Sequence, residues 1–148
     1  MPVKSTAVRR VGVQASLTAK DIMQQSVLAA TPRASLRDVA IQLVNNEISG
    51  MPVAAQDGRV VGVITEADIV RALLEGKRLE NLTASDVMTG PPITVDQNTS
   101  LADVMKSLED NRIVRVPVTN DNTIIGIIAR RDIIKAVLEP EFLTFGGL

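Results

Sequence analysis

The feature that most constrains this 148-residue chain is that it says the same thing twice. Leu17-Thr18-Ala19-Lys20-Asp21-Ile22-Met23 returns 65 residues later as Leu82-Thr83-Ala84-Ser85-Asp86-Val87-Met88. Ser35-Leu36-Arg37-Asp38-Val39 returns as Ser100-Leu101-Ala102-Asp103-Val104, and Met51-Pro52-Val53 as Val116-Pro117-Val118. After a one-residue deletion, Gly62-Val63-Ile64-Thr65-Glu66-Ala67-Asp68-Ile69 returns as Gly126-Ile127-Ile128-Ala129-Arg130-Arg131-Asp132-Ile133. Across residues 17–53 and 62–75 and their partners, 21 of 51 positions are identical, where chance at average residue usage gives roughly three. Whatever one half folds into, the other must fold into as well.

Each half reads as β-α-β-β-α. Short apolar strands are expected at Leu28 to Ala30 and Ile93 to Val95. A helix from Leu36 carries Leu36, Val39, Ala40 and Leu43 at helical spacing, and its counterpart carries Leu101, Val104, Met105 and Leu108. Ser35-x-x-Asp38 and Ser100-x-x-Asp103 read as capping boxes. Two β-branched runs follow in each half, Met51 to Ala54 with Val60 to Ile64, and Val116 to Thr119 with Thr123 to Ile128. The closing helices run Glu66 to Glu75 and Arg130 to Glu139, the latter ending at Pro140. A unit of about 55 residues buries little surface alone, so the two are expected to share one core with pseudo-twofold symmetry. The organisation is then an N-terminal arm at 1–16, repeats at 17–76 and 82–140, and a C-terminal tail at 141–148. The arm holds Lys4, Arg9 and Arg10, and the tail holds both phenylalanines, Phe142 and Phe145.

Composition narrows function by exclusion. With no histidine and no cysteine there is no Ser-His-Asp triad, thiol nucleophile, disulfide, or His- or Cys-ligated metal. There is no P-loop and no G-x-G-x-x-G. The carboxylates at Asp21 and Asp38 and their repeats stand at helix starts, where capping accounts for them. No catalytic residues and no metal ligands are assigned, and the chain is read as a non-enzyme. Sixteen basic against seventeen acidic residues leave a net charge of −1, and the repeats hold no aromatic ring, so nucleic-acid binding is disfavoured. No apolar run approaches the ~18 residues of a membrane span, and no signal-peptide core is present, which fits a cytoplasmic protein.

The D-[I/V]-M start, the P-V strand and the G-h-h-[T/S]-x-x-D entry to the last helix (h, apolar), twice in order over about 124 residues, resemble the CBS domain, paired as in a Bateman module. The resemblance implies an α/β fold of tandem β-α-β-β-α repeats. It also implies an adenosine ligand, AMP, ADP, ATP or S-adenosylmethionine, in an inter-repeat cleft, with room for phosphate-bridged Mg2+. It further implies a regulatory, energy-sensing role toward an effector protein, and a disc-like homodimer. With the repeats taking up most of these 148 residues, the resemblance is to a stand-alone CBS-pair protein.

By that resemblance Asp68 holds the ribose and Thr65 contacts sugar or phosphate. Thr65-x-x-Asp68 is also a capping box, and the two roles are compatible. A phosphate suits the helix N-terminus that follows. Repeat two keeps Asp132 but has Ala129 in place of the threonine. Arginines concentrate there: Arg115, Arg130 and Arg131 stand where repeat one has Gly50, Glu66 and Ala67. If sites assemble across repeats, Asp68 and Thr65 meet those arginines, while Asp132 faces a cleft without cations and marks the weaker second site. Val63, Ile93, Thr94, Val95 and Pro117 are candidates for an aliphatic adenine slot, with core packing the competing reading for the apolar ones. The alternative function is a ligand-free structural or dimerisation module, joined through faces around Ile69, Leu73, Ile134 and Val137.

Overall fold

The structure, a computed structural model, describes the backbone of residues 17–145 and the side chains of residues 17–138. The arm read at residues 1–16 and the side chains of the tail lie outside the described residues. The chain forms a mixed α/β fold of two compact units. One comprises residues 28–93 with 122–124, and the other residues 17–27, 94–121 and 125–145 of the described chain.

In the first unit, helix α2 (Leu36–Asn45) starts at Ser35, whose hydroxyl accepts from the Arg37 amide at 3.2 Å. Leu36, Val39 and Leu43 are its buried face. It ends in a Schellman turn: Glu47 takes φ 53°, and the Ile48 amide returns to the Leu43 carbonyl at 3.1 Å. Strands β1 (Gly50–Ala54) and β2 (Val60–Thr65) pair antiparallel, Gly50 opposite Thr65 and Val53 opposite Gly62. Helix α3 (Glu66–Leu74) follows β2 without a loop.

The second unit repeats the plan. Helix α5 (Leu101–Asp110) is capped by Ser100, which accepts from the Asp103 amide at 3.1 Å, and ends at Arg112 with φ 53°. Strands β3 (Val95–Asp96), β4 (Arg115–Asn120) and β5 (Thr123–Ala129) form a sheet in the order β3-β4-β5, β3 parallel to β4. Asp121 and Asn122 both take positive φ, as a two-residue type I′ hairpin demands. Helix α6 (Arg130–Phe145) closes the unit.

One short helix binds each unit together, and the two come from the heads of the sequence repeats. Helix α1 (Ala19–Ile22) lies in the second unit, where the Leu101 amide donates to the Leu17 carbonyl at 2.9 Å and the Ala19 amide to that of Thr99 at 2.8 Å. Helix α4 (Ala84–Val87) lies in the first, with Leu36 donating to Leu82 and Ala84 to Ala34, both at 2.8 Å. The head of each repeat therefore pins the main helix of the other repeat's body.

Several expectations differ from the structure. The short strand of the second unit lies at Val95–Asp96 rather than at Ile93 to Val95, and Ser35 and Ser100 cap their helices without the reciprocal bond from Asp38 or Asp103 that a capping box needs. Residues 28–30 make a single parallel bridge, Ala30 with Val53, rather than a strand; Ala30 donates to the Pro52 carbonyl and accepts from Ala54, which satisfies it without further pairing. Helix α6 does not end at Pro140 but continues to Phe145. Proline removes one backbone donor, which is why the local rule ends a helix there. Instead of one shared core, each unit has its own apolar cluster. One is built on Leu36, Met51, Val53 and Ile64, the other on Leu101, Val116, Val118 and Ile128, with Ala84 and Ala19 filling the respective clusters at no exposure. The borrowed short helix supplies the cover that a bare β-α-β-β-α unit lacks, and each fully buried leucine or isoleucine contributes about 1.5–3 kcal/mol.

Candidate functional site

The strand-to-helix junctions carry the chemistry. At the head of α3 one carboxylate oxygen, Asp68 Oδ2, accepts from both the Thr65 amide at 2.9 Å and the Thr65 hydroxyl at 3.1 Å. The Asp68 amide donates back to Thr65 Oγ1 at 3.4 Å. The capping box read from the sequence is formed. The other oxygen, Oδ1, accepts from Arg71 Nη1 at 3.1 Å. Asp68 is buried, at 6% exposure, while the Arg71 side chain is 63% exposed. Sequence reasoning passed over Arg71; its i,i+3 spacing from Asp68 is the signal that finds it.

The helix start is less open to an anion than a bare N-terminus. The Glu66 amide donates to the Ser49 carbonyl at 2.9 Å, and the Arg130 amide to that of Val114 at 3.1 Å at the matching place in the second unit. First-turn amides at both junctions are thus partly spent inside the protein.

At the head of α6 the Ala129 amide donates to Asp132 Oδ2 at 2.7 Å, and no hydroxyl reinforces it because residue 129 is alanine. Gln24 approaches instead: its Nε2 donates to Oδ1 at 3.0 Å and to Oδ2 at 3.1 Å. This partner lies 108 residues away, and nothing in the sequence pattern indicates it.

Of the other candidates, Val63, Thr65, Asp68 and Ile93 belong to one unit, and Thr94, Val95, Arg115, Pro117, Arg130, Arg131 and Asp132 to the other. Val95 belongs to a core cluster and Pro117 is buried, so both contribute packing. Ile93, at 39% exposure, Thr94 and the half-buried Val63 keep accessible surface. Arg130 and Arg131 are exposed and Arg115 is half-buried. Among the described residues no group of three or more carboxylate, histidine or cysteine side chains is placed to hold a metal ion. None of the described helices is long and apolar enough to cross a membrane.

The helix faces are the second notable surface. Ile69 is core and Val137 half-buried, but Leu73 and Ile134 are exposed at 53% and 59%. Val44, Val70 and Leu74 are exposed with Leu73 on α2 and α3. In the second unit a groove of about 500 Å³ is lined by Met105, Leu108, Ile113, Val114, Ile133 and Ile134, with Arg112 and Arg130 beside it.

Comparison with known proteins agrees with this architecture. The family model of the CBS domain matches residues 19–75 and 84–139. Hypoxic response protein 1 of Mycobacterium tuberculosis (strain ATCC 25618 / H37Rv) is 28% identical over 129 residues, covering 86% of this chain and 90% of its own. The CBS domain pair of protein MJ0100, solved in complex with 5′-methylthioadenosine and S-adenosyl-L-methionine, superposes with a TM-score of 0.71 at 28% identity, covering 88% of this chain and 97% of that one. CBSX2 in complex with AMP superposes at 0.73 with 26% identity, covering 84% and 98%. With both matched segments in one chain, the protein belongs to the CBS-domain family and carries a CBS pair.

Proposed function

We propose that the protein is an adenosine-nucleotide-binding regulatory module without chemistry of its own. The observation that carries the reading is the Asp68 carboxylate: one oxygen is committed to the Thr65 cap, and the other is answered by an exposed arginine side chain. A ribose diol exchanging with Arg71 would find a buried acceptor already oriented. Similar CBS pairs solved with AMP, or with S-adenosylmethionine and methylthioadenosine, support the ligand class. In this reading Thr65 assists Asp68. Arg115, Arg130 and Arg131 supply counter-charge to phosphate, with Mg2+ bridging a polyphosphate where one is bound. Asp132 is the weaker acceptor, and Ile93, Thr94 and Val63 are the accessible candidates for base contact. Binding shifts the populations of two states of the module, and an effector protein in the cytoplasm reads the shift.

Thermal-shift and calorimetric titration with AMP, ADP, ATP and S-adenosylmethionine test this. A ligand at about one hundred times its dissociation constant adds ~2.7 kcal/mol to the folded state. Asp68→Ala should abolish that shift; absence of any shift in the native protein defeats the proposal.

A second reading, a homodimerising structural module, is favoured by the exposed apolar residues Val44, Val70, Leu73 and Leu74 on one unit and Ile134 on the other. Dimerisation and nucleotide binding are compatible. Dimerisation alone, with no nucleotide bound, would select the structural module.

A further inference from the structure

The two junction aspartates are equivalent in sequence, but their carboxylates are occupied differently, and Gln24 is one residue that makes the difference. Gln24 and Thr89 hold matching positions after the two heads. Both are tied by the same pair of backbone bonds: Gln24 with Ile127 at 2.8 and 3.0 Å, Thr89 with Val63 at 2.9 and 3.0 Å. Thr89 carries a short side chain, and Asp68 in its unit pairs with Arg71. Gln24 carries a carboxamide, and its NH2 spans both oxygens of Asp132. The orientation of that amide follows from chemistry, since an ionised carboxylate only accepts and the nitrogen must face it.

We propose that Gln24 is an internal competitor for the sugar at Asp132. One N–H of that amide straddles the two oxygens, on the edge where a vicinal diol would present two hydroxyls. The Ala129 amide consumes a further lone pair, and Ala129 brings no hydroxyl to hold a sugar in exchange. An adenosine ligand reaches Asp132 only by swinging Gln24 away. The exchange involves a neutral, exposed side chain on an anchored backbone, so the second acceptor is masked rather than destroyed. This inference rests on the nucleotide-binding reading and adds a residue-level cause for unequal sites.

Calorimetric titration of the full chain with AMP tests it. The native protein should show one dominant site, lost in Asp68→Ala. Gln24→Ala should tighten the second site about tenfold, the scale of a charge-assisted hydrogen bond removed from the competition. Gln24→Thr, the residue of the sister position, should do the same while keeping the backbone bridge. The gain should persist in Asp68→Ala/Gln24→Ala, vanish on adding Asp132→Ala, and be absent with 2′-deoxy-AMP. A native protein that binds one AMP, with Gln24 variants that bind identically, overturns the competitor role and leaves the function standing. No binding by any form overturns both.

Discussion

Met88 rests on the bare Cα of Gly62: a methyl group built on that glycine would lie 2.5 Å from the methionine Sδ and 2.8 Å from its Cγ. Met23 occupies the same place over Gly126 in the other unit. The D-[I/V]-M and G-h-h motifs are therefore two sides of one contact, made each time between the head of one repeat and the body of the other. Gly62→Ala should lower stability by about 1–3 kcal/mol, as overpacking of a tight contact does. In a Met88→Ala background the same substitution should cost less. A double-mutant cycle by urea denaturation reads the coupling; strict additivity would refute the contact.

The Thr65 hydroxyl joins the cap of α3, and Ala129 is its natural deletion at α6. Thr65→Ala should cost about 1 kcal/mol, and Ala129→Thr should recover part of that amount at α6. Chemical denaturation midpoints check both. An unchanged midpoint for Thr65→Ala would show that the amide bond to Asp68 suffices as a cap.

Acid stability should depend on the two heads. The Thr18 backbone amide, then its hydroxyl, hold the Asp21 carboxyl below its ordinary range, and Thr83 does the same for Asp86. A folded-state pKa below the unfolded one contributes stability that is fully present above the unfolded value, about 4. That contribution is lost as pH falls through the folded value. Asp21→Asn and Asp86→Asn should therefore lower the urea midpoint at pH 6, and the gap to the native protein should close as pH falls from the unfolded value through the lowered folded one. A constant difference across that range would contradict the assignment.

Self-association should respond to charge on the helix faces. Val70→Asp and Ile134→Asp substitute exposed residues, so the fold should survive. If the faces meet in a dimer, sedimentation equilibrium will show the variants dissociating at concentrations where the native protein does not. Identical behaviour would remove these faces from the interface.

Much of the site's local geometry was legible in advance. The Ser35 and Ser100 caps and the Thr65–Asp68 box are i to i+3 bonds or shorter, so spacing alone displays them. Arg71 obeys the same local rule but was hidden behind the repeat pattern, because its counterpart Lys135 invited no contrast. The helical run through Pro140 departs from the local rule, because proline removes one backbone donor and ordinarily ends a helix.

By itself the sequence determined two copies of one β-α-β-β-α plan, their caps, and the absence of histidine and cysteine chemistry. These follow from local hydrogen-bond spacing and residue inventory. Only the tertiary structure decided which head covers which body, that Met88 meets Gly62, and that Gln24 reaches Asp132 across 108 residues. The reason is degeneracy. The heads share Leu-Thr-Ala-x-Asp-[Ile/Val]-Met, so either presents the same alanine and methionine to either body, and local sequence cannot tell one pairing from the other. Long-range packing makes that choice, and with it sets the different surroundings of two otherwise equivalent aspartates.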